Sequence, residues 1–253
     1  MGRTLRRVVA RAAGRAVGVG AFVTFAGSAS FAQGDRGANA TTLAPHDTTS
    51  TLLDRAAARY EAMGTLRATF EQTLTNPGTS GSHFAKGELF QHGAWRFALR
   101  YSDPAGDAIV SDDEALWLYL PSTMKGQVFK LPRAAGAGFD FLAHLLSAPR
   151  AHYVVRTVTG TPVPGHTTAV YDLLPKDDNA PFTRARVWIG RSDALLWQVE
   201  TVELSGMVRR VRFTSIHPGA PLSAASLRFS VPPGTRVIDQ AALLGGRGTP
   251  PRP

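Results

Sequence analysis

Trp95-Arg96-Phe97-Ala98-Leu99-Arg100-Tyr101 sets four large apolar residues at a strict period of two, with arginine or alanine between them. Successive side chains of a strand point to opposite faces, so this stretch describes a strand with one oily face and one wet one. A helix would scatter the same four residues around its axis. Pro104 stops the run. Upstream the period is the same: Leu66, Ala68, Phe70, Gln72 and Leu74 alternate with Arg67, Thr69, Glu71 and Thr73. Asn76-Pro77-Gly78 and Gly81 turn that strand into a second one from about Ser82 to Gln91.

Downstream, Asp107–Ser111 and Ala115–Leu120 read as a hairpin turned by Asp112-Asp113-Glu114, followed by a short strand at Gln127–Leu131. Further strands are expected near 151–159, 167–174, 182–190, 194–204, 207–216 and 225–231, separated by turn-formers such as Pro162–Gly165, Pro175–Pro181, Ser192-Asp193 and Pro218–Pro221. Two stretches follow helical spacing instead. Leu52, Leu53, Ala56, Ala57, Tyr60 and Met63 form one greasy stripe between a hydroxyl cap near Thr49–Thr51 and Gly64. Phe139, Phe141, Leu142, Leu145 and Leu146 form a second after Gly136–Gly138, ending near Ser147. The expected fold is mainly β: about eleven strands in meander order, with two or three short helices inserted. Strands joined by short turns pair antiparallel, and so long a sheet twists and curls. Its concave side is then the natural seat for oily helices, as permanent core or as a lid; spacing alone favours core.

The chain opens on an address. Arg3, Arg6, Arg7, Arg11 and Arg15 precede an apolar run from Ala16 to Gly27, and Ser30 and Ala32 have the spacing that signal peptidase reads. A signal peptide over residues 1–32 is expected, with a mature chain starting at Gln33 and export to the periplasm. The apolar run is about half the roughly 20 residues a spanning helix needs. Removing 32 of 253 residues leaves 221, enough for one large domain. Taking the five leader arginines from the whole-chain charge of +9 leaves about +4, spread along the chain. That balance suits an anionic headgroup or an acidic partner, and much of the basic character that would suggest nucleic acid leaves with the leader. Residues 33–49 read as a flexible leader, 50–240 as the domain, and 241–253 as a loose Gly-, Pro- and Arg-rich tail. The chain has no cysteine, so it can be neither disulfide-stapled nor acylated on one.

Catalytic patterns are missing. Ser80, in Gly78-Thr79-Ser80-Gly81, lacks the spacing of a hydrolase elbow. His46, His83, His92, His144, His152, His166 and His217 include no pair at the spacing of helical metal ligands; only a strand pairing of His83 with His92 offers a metal site, and none is expected. No Gly-rich phosphate loop follows a strand, so no cofactor is expected. Asp107, Asp112, Asp113 and Glu114 sit at a hairpin tip, where turn chemistry and solvation explain them better than acid–base work. Asp177-Asp178, in a Pro-bounded loop, reads the same way. The arginines and aromatics of 95–101 fall on opposite faces, whereas a base-stacking surface needs both on one. Neither an enzyme nor nucleic-acid binding is expected.

Four segments in order resemble the LolA family of lipoprotein carriers: Arg67-Ala68-Thr69-Phe70-Glu71-Gln72; Gly87-Glu88-Leu89-Phe90; Ile109–Asp112 with Leu116–Pro121 and Gln127-Val128; and Phe229–Gly234 with Val237–Gln240. The similarity runs from about 52 to 240. It implies an incomplete antiparallel β-barrel covered by helices, around an apolar cavity for the acyl chains of lipoproteins. It also implies acylated lipoproteins as cargo, an inner-membrane ABC transporter of the Lol type that loads the carrier, and an outer-membrane receptor of the LolB type that unloads it. The stretch around Phe139–Leu146 falls where the family has a lid helix, which shifts the reading from core to lid. One departure matters. Many members carry Arg-Pro after the Gly-Asp-Leu strand, the arginine bonding to lid backbone; here the stretch is Gln91-His92-Gly93-Ala94. Arg96 and Arg100 are near, but alternation sets them opposite the greasy face.

The expected cavity lining is Phe70, Trp95, Phe97, Leu99, Trp117, Tyr119, Phe141, Leu145, Trp188 and Trp197. Trp117 and Tyr119 share one strand face and Leu116, Leu118 and Leu120 the other, so one set is core and not lining. The expected protein is a monomeric periplasmic carrier that moves lipoproteins from inner to outer membrane. The alternatives are a shuttle for another amphiphile, such as a glycolipid or polyene lipid, and a sensing module resembling RseB, for which the chain is short.

Overall fold

The computed structural model describes residues 51–78, 81–93, 95–133, 141–178 and 180–240. The expected signal peptide, leader and tail lie outside these residues, as does the start of the second helix near Phe139. Helix α1 (Leu52–Glu61) begins at a capping box: the Thr51 hydroxyl accepts from the Asp54 N–H, and the Asp54 carboxylate accepts from the Thr51 N–H. A meander follows: β1 (Thr65–Asn76), β2 (Gly81–His92), β3 (Arg96–Asp103), β4 (Ala105–Ser111), β5 (Leu116–Tyr119) and β6 (Gln127–Leu131). Two short helices, α2 (Phe141–Leu146) and α3 (Pro149–His152), lead into a second meander. It comprises β7 (Tyr153–Val158), β8 (Thr168–Pro175), β9 (Phe182–Gly190), β10 (Leu196–Glu203) and β11 (Val208–Pro218).

All strands join one sheet in the order β12-β6-β5-β4-β3-β2-β1-β11-β10-β9-β8-β7, where β12 is Arg236–Asp239. Each meander is antiparallel throughout. They meet where β1 pairs with β11, from Leu66 opposite Pro218 to Thr75 opposite Val208. The sheet is open, with β12 at one edge and β7 at the other. Inward residues from β1, β3, β5, β6, β8, β9, β10 and β11 nevertheless form a single buried cluster with α1 and α2. Only a sheet curled around the helices lets one face of both halves meet like this. Gly87 marks a tight point of the curl: a Cβ there would collide with the Arg100 carbonyl oxygen. The register between β2 and β3 shifts at this residue.

The convex face of the second meander is polar for a visible reason. Arg156, Asp172, Arg186, Glu200 and Arg210 stand directly opposite one another across β7 to β11, a row of alternating charge. Arg186 grips Asp172 with two bonds of 2.6 and 2.9 Å, which hold the carboxyl below its usual range. Arg210 reaches Glu200 at 2.6 Å. With these charges turned outward, Val187, Val199 and Val211 turn inward.

The first meander has a second apolar patch on its convex face. Phe90, Ala98, Val110, Trp117 and Val128 are covered by Leu222, Leu227 and Phe229. Here the expected strand at 225–231 is corrected: it is a 3-10 turn, Ala224–Leu227, within an irregular strap. It lies over the face of the sheet, where no ladder is on offer. Arg100 donates instead to the carbonyls of Ala225, Ser226 and Arg228 at 3.3, 3.3 and 2.9 Å. The strap ends in β12, which pairs parallel with β6 and makes the strand total twelve where about eleven were expected. Asp107 and Asp112 also need correction, because both are buried and not solvated. Asp107 accepts from the Ser122 N–H and hydroxyl. Asp112 accepts from the Glu114 and Ala115 N–H groups, from the Trp117 indole at 3.0 Å and from the Phe229 N–H at 3.4 Å.

Removing that carboxylate strands several buried donors at once. Asp112→Ala should cost about 3 kcal/mol, read by urea denaturation, with a red shift of tryptophan emission as Trp117 becomes wet. A loss below about 1 kcal/mol would mean that water replaces the carboxylate and the strap does not depend on it.

Candidate functional site

The inward face of β1 begins Leu66, Ala68, Phe70, all under a tenth exposed. Over it lie α1 and α2. Between helices and sheet is a small apolar pocket with a cavity volume of about 20 Å³. Ala56 and Tyr60 of α1, with Met63 just past its end, form one wall, Leu142 and Leu146 of α2 another, and Leu66, Ala68, Phe213 and Ile216 the floor. Leu195 and Leu196 close one side, and the exposed Arg59 stands among the lining residues. That is little more than the room one water molecule needs. It would hold no acyl chain unless the helices moved.

Of the ten residues expected to line a cavity, Phe70, Phe97, Leu99 and Leu145 lie in the inward cluster beside this pocket. Phe141 opens α2, and its side chain lies outside the described residues. The others are placed differently. Trp95 precedes β3 in a turn, 45% exposed, with the Arg133 guanidinium 3.9 Å from its ring centroid. Trp117 and Tyr119 belong to the convex patch, where Phe229 stacks on Trp117 at 5.3 Å; Leu116, Leu118 and Leu120 are the inward set. Trp188 and Trp197 belong to the inward cluster but do not line the pocket. Trp188 donates to the Thr161 carbonyl at 2.9 Å. Trp197 donates to Asp193 and is stacked by His166 at 3.5 Å. An indole bound at its N–H is fixed in place, so Trp117, Trp188 and Trp197 hold turns and loops together. His83 and His92 sit at opposite ends of β2, nine residues or roughly 30 Å apart, too far to share a metal.

Residues that the strand pattern passed over do more here. Gln91 lies on the inward face, paired in register with Leu66 and Phe97, and is 3% exposed. Its amide donates to the Tyr60 hydroxyl of α1, so a polar bond ties the helix to the sheet beside the pocket. Gln91 opens the stretch that stands where relatives with Arg-Pro carry their arginine. Outside the pocket, the Arg150–Asp54 pair at 3.1 Å links α3 to the start of α1.

Helix α2 is pinned through His144. Its ring stands edge-on to Phe182 at 5.9 Å and to Tyr153 at 6.3 Å. The Tyr153 hydroxyl donates to the His144 carbonyl at 3.1 Å. Burial pushes the Tyr153 phenol up to about 12, so it remains a donor at neutral pH. Burial, and then the charge of His152, push His144 below its ordinary value. The unfolded chain therefore binds this proton more readily than the folded one. The stabilisation is complete above an ordinary histidine pKa of about 6.5 and is lost as pH falls through the lowered value. Acidification from pH 7 to 5 should speed amide exchange in 141–152, after correction for intrinsic rates. His144→Phe should abolish the dependence; an unchanged pH response in that variant would clear His144 of any role.

The family model for the outer membrane lipoprotein carrier protein LolA matches residues 61–230, well over half of the chain. An outer-membrane lipoprotein carrier protein of Methylobacillus flagellatus is 24% identical over 182 residues, covering 72% of this chain and 85% of the relative. One from Haemophilus ducreyi is 28% identical over 190 residues, covering 72% and 82%. Among solved structures, an uncharacterized conserved protein from Thermus thermophilus aligns at a TM-score of 0.48 and 14% identity, covering 74% of this chain and 96% of that one. With the matched segment running from the end of α1 through the strap, the chain belongs to the LolA family of outer membrane lipoprotein carrier proteins.

Proposed function

We propose that this protein is a periplasmic carrier that takes the acyl chains of lipoproteins into its concave hollow and moves them from inner to outer membrane. The observation that carries this reading is an apolar pocket walled by two short helices on the inward face of a curled sheet, in a chain of the lipoprotein-carrier family. No described helix is long and apolar enough to cross a membrane. The leader, with cleavage after Ala32, would place the carrier between the membranes. The Lol-type transporter and LolB-type receptor would be its loading and unloading partners. The binding surface would be Leu66, Ala68 and Phe70 together with Phe97, Leu99 and Leu145. Nothing in this reading calls for catalysis.

The energetics favour exchange of helix for cargo. Helix α2 buries Leu142, Leu145 and Leu146, at roughly 1.5–3 kcal/mol each and so roughly 5–9 kcal/mol in all. A sixteen-carbon chain at roughly 0.8 kcal/mol per methylene gains roughly 12 kcal/mol by the same measure. One acyl chain can therefore displace α2, yet α2 competes strongly enough to help expel it later.

Gentle periplasmic extraction followed by native mass spectrometry tests the whole reading. The expected result is a polypeptide starting at Gln33 that carries triacylated protein. Free lipid in its place would transfer the fold to another amphiphile, and failure to displace a fluorescent fatty acid would end the carrier reading. Tyr60→Phe removes the tie between α1 and Gln91, worth about 1 kcal/mol net. Stopped-flow loading of that fatty acid should become about fivefold faster; an unchanged rate would show that α1 does not gate entry.

A further inference from the structure

At the far end of β1 the inward face turns polar. Gln72 and Leu74 follow Phe70 on the same side, roughly 13–20 Å along the strand from Ala68. Arg209 pairs in register with Leu74 on one side and Thr201 on the other, so it shares their face. Glu203, two residues past Thr201, shares it too, opposite Phe182 of the inward cluster. Both Nε and Nη2 of Arg209 approach the same carboxylate oxygen, Glu203 Oε1, at 3.4 and 3.1 Å. Glu203 is 7% exposed, and its other oxygen, Oε2, is buried without a hydrogen-bond partner. An arginine normally grips a carboxylate with two parallel bonds, one to each oxygen. Here the grip is one-sided and a buried acceptor is left over, which is costly to maintain without a purpose. The Arg209 side chain remains 31% exposed, so the pair can be reached. The neighbouring acid is already engaged: both oxygens of Asp107 are taken by Ser122.

We propose that Arg209 and Glu203 form a subsite for the amide that links an acyl chain to its headgroup, with Glu203 Oε2 accepting the amide N–H and the Arg209 guanidinium meeting the amide carbonyl. This deepens the carrier reading and rests on it. The donor set is selective. An ester offers acceptors alone and leaves Oε2 bare; a free carboxylate is repelled by Glu203; an ammonium satisfies Glu203 and repels Arg209. An amide carries one donor and one acceptor on adjacent atoms, matching the pair. Tyr101, packed edge-on against Phe70 at 5.5 Å, lies within the electrostatic reach of Arg209. Acyl tail on the apolar side and linkage at this end would orient a cargo molecule along β1.

The test uses two ligands that differ by one atom. N-methylpalmitamide and methyl palmitate are titrated into the mature protein against a fluorescent fatty acid. The affinity ratio in favour of the amide should fall at least fivefold in Glu203→Gln, while affinity for the ester holds within twofold. An equal ratio in both proteins overturns the subsite and leaves the carrier reading standing. If neither ligand binds the wild-type protein, the carrier reading fails and the subsite with it. Should Glu203→Gln fold poorly, 15N-labelled N-methylpalmitamide on the wild-type protein answers the same question. Its N–H proton should shift downfield on a carboxylate, and a resonance matching that in an apolar solvent overturns the proposal. Two further ligands separate the sources of such an amide: an N-palmitoylated cysteinyl peptide for a protein cargo and palmitoylethanolamide for a free lipid. A Glu203-dependent advantage for either supports the subsite, and independence in both overturns it.

Discussion

The antiparallel pairing of β1 with β11 carries the architecture, because it welds two meanders, each short of a barrel, into one sheet with a common inward face. Along this seam Leu66, Ala68 and Phe70 of β1 lie beside Val211, Phe213 and Ile216 of β11. Those residues are floor or near neighbours of the pocket. A one-residue slip would turn the oily set outward and bring Arg67, Glu71 and Arg212 into the hollow. The Glu71–Arg212 pair, cross-strand neighbours on the convex side, resists such a slip by binding where water can reach it. Register, curvature and the location of the pocket are thus one constraint seen three ways.

The two faces of the sheet are finished by different chemistry. On the second meander the convex face is closed by charge, each ion paired with its neighbour on the next strand. On the first it is closed by the strap, whose backbone is held at one side by the Arg100 guanidinium and at the other by the buried Asp112 carboxylate. Charge-assisted bonds to backbone fix a segment permanently. The concave face has a different kind of cover. Leucine side chains, a tyrosine–glutamine bond and an edge-on histidine hold α1 and α2. The convex cover is thus held by charge and the concave one by apolar contact and neutral bonds.

Much of this was legible from period alone. The alternation of 95–101 and 66–74, and the boundaries of β9 at 182–190, follow from strands having one dry face. Pattern also predicted α1 and α2, the second from Phe139, Phe141, Leu142, Leu145 and Leu146. What it missed shares one cause. Trp117, Trp188 and Trp197 are large and apolar by count, yet each has an N–H that must find an acceptor, and those acceptors lie in turns and loops no strand pattern describes. Bulk therefore pointed to the hollow while the polar atom pointed away from it. Phe229 reads as strand, but over a sheet face there is no ladder, and packing on Trp117 decides its conformation. The pocket itself is lined by smaller residues such as Ala56, Ala68 and Ala194. Space for a ligand arises where side chains are short, which a search for the largest residues passes over.

Gln91 completes the logic of the concave cover. A buried arginine in that position would have to leave its partners when the helix lifts, and a buried charge without partners is expensive. The Gln91 amide is neutral, and its bond to Tyr60 costs about 1 kcal/mol net to break. Opening then depends on apolar area far more than on electrostatics, and it is nearly insensitive to ionic strength. With Ala56 and Tyr60 facing the pocket from α1 and Leu142 and Leu146 from α2, the two helices need not move together. Both contribute apolar contact to the inward cluster, and the longer one also carries the polar tie.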